Sequence, residues 1–330
     1  MELAKLIEKS WQAESYHQNS FAEICFDQLN RFQLDLTLNQ FEKMIADWVL
    51  ESSLPKQLNV YNNFGQPPIT LFNNDKFVLD IYFWMHVDTS IHSHAFSGAF
   101  KLLYGRSIHE NFSVTPKIIY AQDVMSSDIS QPEARLLCAG ETQKIHSGNK
   151  FNHRLIHLDA PTITLCARTV DDVKNKQWHH FPNGLSIEKR TISESVIKGL
   201  YYYQYLFIRN QELAIHFLYD LIKSWDISVS LNLYEQLAVD NMGIENDAID
   251  CFSDILIDLY GDSEWFKIYE SFNKQMQENT ITIDGNSVES RFLEHAINSS
   301  YPFEQTKSLL EEVQGHALSQ QQIDLLKAHN

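Results

Sequence analysis

Clustered positive charge is missing from this chain. Its 330 residues hold 26 Lys and Arg against 43 Asp and Glu, a formal net charge of −17. No stretch gathers the basic residues that a phosphate backbone requires, so neither nucleic acid nor an anionic membrane is expected as a partner. Long apolar runs are also missing: nothing approaches the ~18 residues of a membrane span. The opening Met-Glu-Leu-Ala-Lys-Leu-Ile-Glu lacks the basic and apolar regions of a signal peptide, and a cytoplasmic location follows as the expectation. Cysteine is sparse. Cys25, Cys138, Cys166 and Cys251 stand far apart with no Cys-x-x-Cys pair, which fits a reducing compartment and argues against a thiolate zinc knuckle. Any metal must then rest on His and carboxylates. With only 11 Gly and 8 Pro, but 44% hydrophobic and 12% aromatic residues, the chain is neither fibrous nor disordered.

The length exceeds a usual single domain and leaves ample material for a core. From Glu2 to about Ser53 apolar residues recur at three and four spacing, as in Phe41, Met44, Ile45, Trp48 and Val49, which predicts helices ended by Pro55. A turn-rich Asn62-Asn63-Phe64-Gly65-Gln66-Pro67-Pro68 leads into extended structure. Between Ile69 and Arg168 short β-branched and aromatic runs alternate with turn residues. Strands are predicted at Phe77–Trp84, Ser90–Tyr104, Ser107–Val114, Ala134–Cys138, Gln143–His146, His153–His157 and Thr162–Arg168, a density that suits an antiparallel barrel or sandwich. After Pro182-Asn183-Gly184 the period is helical again. Ile197, Leu200, Tyr201 and Tyr205 make one stripe, Leu213, Phe217 and Leu221 a second, and Ile255, Leu256 and Leu259 a third. Gly243, Gly261, Gly285 and Pro302 divide this part into roughly six or seven helices. The expected class is α+β: N-terminal helices over 1–55, an antiparallel β-barrel over 56–185 and an all-α C-terminal domain over 186–330.

The chemistry centres on Ser90-Ile91-His92-Ser93-His94. Histidines at i and i+2 on a strand project from the same face, so His92 and His94 can reach one point. A third ligand must come from another strand. His153 opens a predicted strand just after Ser147-Gly148-Asn149; His146 before that turn and His157 four residues on are alternatives. Three neutral imidazoles leave positions open on an octahedral ion, which suits substrate and dioxygen at Fe(II), although nitrogen ligands equally suit Zn, Ni or Cu. His86, His109, His179 and His180 read most simply as surface or loop residues.

The same stretch resembles the cysteine dioxygenase family, the thiol dioxygenase branch of the cupins. That pattern has a strand ending in Trp, then Ser-Ile-His-x-His and Lys-Leu-Leu-x-Gly, here Phe83-Trp84, Ser90 to His94 and Lys101 to Gly105. Its later signatures are matched by His153-Arg154-Leu155 and by Ala160-Pro161-Thr162-Ile163-Thr164-Leu165-Cys166. The resemblance covers about Val60 to Arg168. It implies a cupin-type barrel with His92, His94 and His153 as iron ligands.

Departures from that pattern bear on substrate. The place five residues after His94, a carboxylate in the general cupin pattern and a cross-linked cysteine in the animal enzymes, is Ala99. The family's tyrosine position is Arg168 and its barrel histidine is Cys166, while Tyr61-Asn62-Asn63 lacks the family's carboxylate-binding Arg. These replacements argue against cysteine itself. Strand parity offers a substitute cation, because Thr162, Thr164, Cys166 and Arg168 share a face; turned inward, Arg168 becomes a fork for a carboxylate, and turned outward it is a surface residue. Tyr82 and Cys166 join Arg168 as the candidate catalytic residues, and Tyr61 is a further candidate for the pocket. The expected function is a mononuclear non-heme iron dioxygenase or oxygenase acting on a small carboxylate-bearing molecule, a thiol or amino acid derivative among them, with dioxygen as co-substrate. The alternatives are a non-catalytic metal- or ligand-binding cupin whose helices serve a partner, and a metal-dependent isomerase or lyase on the same barrel.

Overall fold

The computed structural model describes residues 2–34, 36–50, 54–58, 65–85, 88–170, 174–189, 193–240, 246–279, 283 and 287–329. In chain order, helices α1 (Glu2–Ala13), α2 (Gln18–Arg31) and α3 (Leu38–Leu50) come first. Then come strands β1 (Pro68–Asn73), β2 (Phe77–Trp84), β3 (Ile91–His94), β4 (Gly98–Tyr104), β5 (Arg106–Phe112), β6 (Val114–Ala121) and β7 (Val124–Ile129). They continue as β8 (Glu133–Cys138), β9 (Thr142–Ile145), β10 (Gly148–His157), β11 (Thr162–Thr169), β12 (Trp178–His180) and β13 (Leu185–Glu188). Helices α4 (Glu194–Arg209), α5 (Gln211–Ser224), α6 (Ile227–Asp240), α7 (Asn246–Tyr260) and α8 (Glu264–Asn279) follow, then α9 (Val288–Asn298), α10 (Phe303–Gln314) and α11 (Gln320–His329). The class is α+β with antiparallel strand pairing, as expected. Among the described residues no helix is long and apolar enough to cross a membrane.

Packing groups the chain into two units that do not follow chain order: residues 1–113, 130–176 and 280–330 form one, and 114–129 with 177–279 the other. The expected boundaries near 55 and 185 therefore do not coincide with the units. A β-hairpin leaves the first unit in mid-chain, and the last three helices return to it.

The first unit contains two antiparallel sheets, β1-β2-β11-β4-β9 and β3-β10-β5-β8. Strand side chains alternate, and here both faces are covered. On the first sheet Leu79, Ile81, Phe83, Ile163, Leu165 and Ala167 pack against Ile7, Trp11, Phe21, Leu29 and Phe41 of α1, α2 and α3. On the second, Ile108 and Ile156 pack against Phe292, Leu309 and Leu310 of α9 and α10. The remaining faces join in an inner cluster of Tyr82, Trp84, Phe100, Leu102, Leu137, Leu155 and Cys166. With an apolar outer face and an inner face that mixes polar and apolar side chains, β2 and β11 are buried along their whole length.

Polar ties fix the helices on these faces. Lys101 of β4 points outward, and its Nζ donates to the carbonyls of Leu29 (3.0 Å) and Phe32 (2.8 Å) at the C-terminal end of α2, where a helix carries negative partial charge. On the other sheet, buried Glu110 accepts hydrogen bonds from Arg154, Tyr301 and His295.

In the second unit β6-β7-β13-β12 form an antiparallel sheet. Val124, Leu185 and Ile187 from it pack on Leu200, Tyr203, Leu218, Phe252 and Trp265 of the helices. Asp123 accepts from the backbone N–H of Ser228 at 2.7 Å in the first turn of α6, and Asn210 caps α5 through the N–H of Leu213.

Several sequence expectations need correction. The segment Ser90–Tyr104 is two strands, β3 and β4, broken at Ala95-Phe96-Ser97. The part after Pro182 has eight helices among the described residues, and the β6-β7 hairpin and β12 and β13 were not foreseen. In α4 the buried side carries Val196, Leu200 and Tyr203, so Tyr201 and Tyr205 are exposed; with four tyrosines in five residues, composition does not say which one turns inward. In α5 the buried stripe is Ala214, Leu218 and Ile222, one residue past the expected one. Gly243 and Gly285 lie outside the described residues.

Two outcomes follow for stability. Lys101→Met removes two charge-assisted hydrogen bonds and is expected to cost about 2 kcal/mol in urea unfolding. Burial pushes the Glu110 carboxyl up, but hydrogen bonds from His295 and Arg154 with their charges more than reverse this, to about 2. Its contribution is therefore complete above the ordinary carboxyl value and is lost as pH falls toward 2. Wild type should lose stability more steeply than Glu110→Gln between pH 4.5 and 2.5, measured as denaturation midpoint against pH.

Candidate metal centre

Strand β3 carries His92 and His94 inward together because they are two residues apart, and β10 pairs with β3 so that His153 stands directly opposite His92. One nitrogen from each of the three rings lies within 4.8 Å of the others. The Nε2 atoms of His94 and His153 are 2.9 Å apart, and the ring centroids are 4.6 to 5.0 Å apart. All three residues are buried, at 3 or 4% exposure.

This donor set fits a metal ion. Two nitrogens about 2.1 Å from one ion and at right angles to each other sit about 3 Å apart, close to the spacing of His94 and His153. Burial holds the His94 imidazole well below the usual histidine range, reinforced by His92 and Arg168. Burial does the same for His153, reinforced by His92, His94 and His109. Both are therefore neutral at physiological pH, the state in which imidazole binds metal. Outer partners orient two of the rings: His92 Nδ1 lies 2.7 Å from the carbonyl of Ser90, and His153 Nδ1 lies 3.1 Å from His109 Nε2. A proton on each Nδ1 leaves Nε2 as the ligand atom.

His109 is the residue that sequence reading missed. It is fully buried on β5 and lies against Phe100 and Phe151, and burial pushes its imidazole down to about 4. It faces inward because β5 pairs with β10 in a register that puts His109 opposite Leu155, on the same side as His153. The alternation Ser107-Ile108-His109-Glu110 identifies a strand, but polar and apolar positions do not tell its two buried faces apart. The two other candidates for third ligand are placed elsewhere. His146 is exposed. His157 stacks on Trp84 at 4.6 Å and meets Ser107 Oγ at 3.0 Å, outside the cluster. In the second unit, His180 is buried against Ser186 Oγ at 2.7 Å and His179 stacks on Phe181, so neither is a loop residue. His86 and Tyr61, with Asn62 and Asn63, lie outside the described residues.

Among the described residues no carboxylate joins the three rings. Ala99 faces the helical layer, which corrects the expectation that it marks the fourth-ligand place. The inward residues of β4 are its neighbours: Gly98, and Phe100 whose ring is 6.1 Å from that of His153. A Cβ at Gly98 would fall 2.0 Å from the carbonyl oxygen of Ala167, so β4 reaches β11 only because that atom is absent.

Thr162, Thr164, Cys166 and Arg168 do share the inner face, and all are buried. Arg168 has a protein carboxylate as partner: its Nε (3.3 Å) and Nη2 (3.2 Å) meet Asp80 Oδ2, which also accepts from Tyr82 Oη at 2.9 Å. The guanidinium carbon lies 5.1 Å from the ring centre of Phe96, itself 4.5 Å from the ring of His94. The open cationic fork foreseen at Arg168 is thus an ion pair beside the histidines. Burial pushes the Cys166 thiol up to about 12, so it is not a thiolate nucleophile.

No family model matches this chain, and no curated protein matches it. Solved structures with some likeness include an RmlC-like cupin from Shewanella frigidimarina NCIMB 400, at 10% identity over 32% of this chain and 78% of that one, TM-score 0.24. A second is the DMSP lyase DddQ from Ruegeria pomeroyi DSS-3, at 14% identity over 47% and 76%, TM-score 0.29. A third is the hydroquinone 1,2-dioxygenase PnpCD in complex with Cd2+ and 4-hydroxybenzonitrile, at 13% identity over 33% and 67%, TM-score 0.25. Likenesses this low leave the fold and site to be read from this chain's own strands and histidines, as above.

Proposed function

We propose that this chain is a mononuclear non-heme iron oxygenase that acts with dioxygen on a small carboxylate-bearing molecule in the reducing cytoplasm. The observation that carries this reading is the convergence of three buried imidazoles, with no carboxylate among the described residues joining them. Such a set keeps several positions of an octahedral ion open, and when bound as Fe(II) the ion supplies Lewis acidity and one-electron chemistry with dioxygen. His92, His94 and His153 would hold it; Zn, Ni or Cu are the competing metals. The four free cysteines agree with the compartment.

The protein's part is orientation and exclusion of water. Phe96, Phe100 and Phe151 surround the imidazoles and make a dry setting in which polar contacts are strong. Arg168, Asp80 and Tyr82 form the polar end of the interior. A substrate carboxylate would replace Asp80 as the partner of Arg168, and Tyr82 would stay as a hydroxyl donor, since burial keeps it protonated. Cys166 lines the same face as a neutral thiol. The near-complete enclosure of the histidines favours one second reading, a metal-binding protein without turnover.

Metal analysis of purified protein should find on the order of one ion per chain, reduced roughly tenfold or more in His92→Ala or His153→Ala. Ferrous protein given small thiols, amino acids and related carboxylates should consume dioxygen in a His92-dependent manner. Metal uptake without oxygen consumption would select the second reading, and no metal at all would sink both. Arg168→Met combined with Asp80→Asn leaves no unpaired buried charge. That variant should keep its iron and lose turnover of carboxylate substrates; unchanged turnover would remove Arg168 from the substrate's path.

A further inference from the structure

Behind the histidines, on the outer face of the same two strands, the chain buries an ionic cluster. Glu110 and Arg154 are cross-strand partners on β5 and β10. The Glu110 side chain is wholly buried and that of Arg154 is 17% exposed. The carboxylate accepts from Arg154 Nε and, at 3.1 Å, from Nη2, from Tyr301 Oη, and from His295 Nε2 at 3.2 Å. Arg154 Nη2 also donates to Ser299 Oγ at 3.1 Å.

The placement of this cluster sets it apart from ordinary packing. Side chains alternate along a strand, so Glu110 and Arg154 point outward at the residues immediately following His109 and His153, which point inward. The ionic cluster on one side and the 3.1 Å contact of His153 Nδ1 with His109 Nε2 on the other therefore share the same stretch of two strands. The neighbouring outer pair is Ile108 with Ile156, set among Phe292 and Leu310. An apolar pair thus suffices for cohesion one step along, and a buried ion pair is seldom the more stable choice over well-packed apolar side chains. What the ionic cluster adds is direction: several hydrogen bonds of fixed geometry that set how β10 lies against β5.

We propose that Glu110, Arg154 and Tyr301 are positioning residues for the histidine centre, holding β5 and β10 so that His109 stays on His153, and thereby coupling metal affinity to the seating of α9 and residues 299–301. This rests on the reading of His92, His94 and His153 as a metal site.

Tyr301→Phe tests it, because the ring stays in its apolar cluster while Glu110 loses one donor. The full chain is titrated with Co2+ against a chelating dye, and the ring nitrogens of His109 and His153 are followed by 15N NMR in metal-free protein. The control is Arg106→Met, which breaks the Arg106–Asp159 pair (3.0 Å) on the same β5 without touching either ring. Tyr301→Phe should weaken Co2+ binding roughly tenfold and alter the His109 and His153 nitrogen shifts, whereas Arg106→Met should leave both as in wild type, whatever its Tm. Unchanged affinity and shifts in Tyr301→Phe, or equal weakening in Arg106→Met, would overturn the proposal. Should wild type take up no Co2+, the metal reading fails, and the metal-free NMR comparison alone decides whether Tyr301 positions the rings.

Discussion

Both faces of the two sheets in the first unit are buried, and the rest of that unit depends on this constraint. A strand that alternates its side chains must then solve two packing problems with one sequence. On the outer faces helices solve it with apolar stripes, helped by Lys101 on α2 and Glu110 beneath α9. On the inner faces polar side chains stand buried among apolar ones, so each polar group there needs a partner. His92 takes the Ser90 carbonyl, His153 takes His109, His157 takes Ser107, and Arg168 takes Asp80.

Local periodicity was enough for part of this. The His-x-His pair needs only strand parity, and β2 and β11 announce themselves by runs rich in β-branched and aromatic residues. The inward turn of Thr162, Thr164, Cys166 and Arg168 also follows from parity, once one residue of the set is placed. Information that depends on which strand lies beside which was not legible. His109 becomes a partner of His153 only through the β5–β10 register. Arg168 meets Asp80 because β11 pairs with β2 in the register that opposes Cys166 to Asp80.

The division into units was hidden for a similar reason. The hairpin β6-β7 carries Pro116 within its first strand, and its membership in a unit with residues 177–279 is a matter of packing. Tyr203 is buried where Tyr201 and Tyr205 are not, because the α4 neighbours that decide it lie outside the local run.

The close approach of β4 to β11 at Gly98 limits what can stand beside the three histidines. A single substitution at this inward position cannot add a fourth donor to the centre, since any side chain would begin with an atom 2.0 Å from the Ala167 carbonyl oxygen. With this strand pairing a side chain of β4 can approach the imidazoles at Phe100, whose ring lies 6.1 Å from that of His153, but not at Gly98. The spacing of two backbones thus keeps this position from placing any side chain beside His92, His94 and His153.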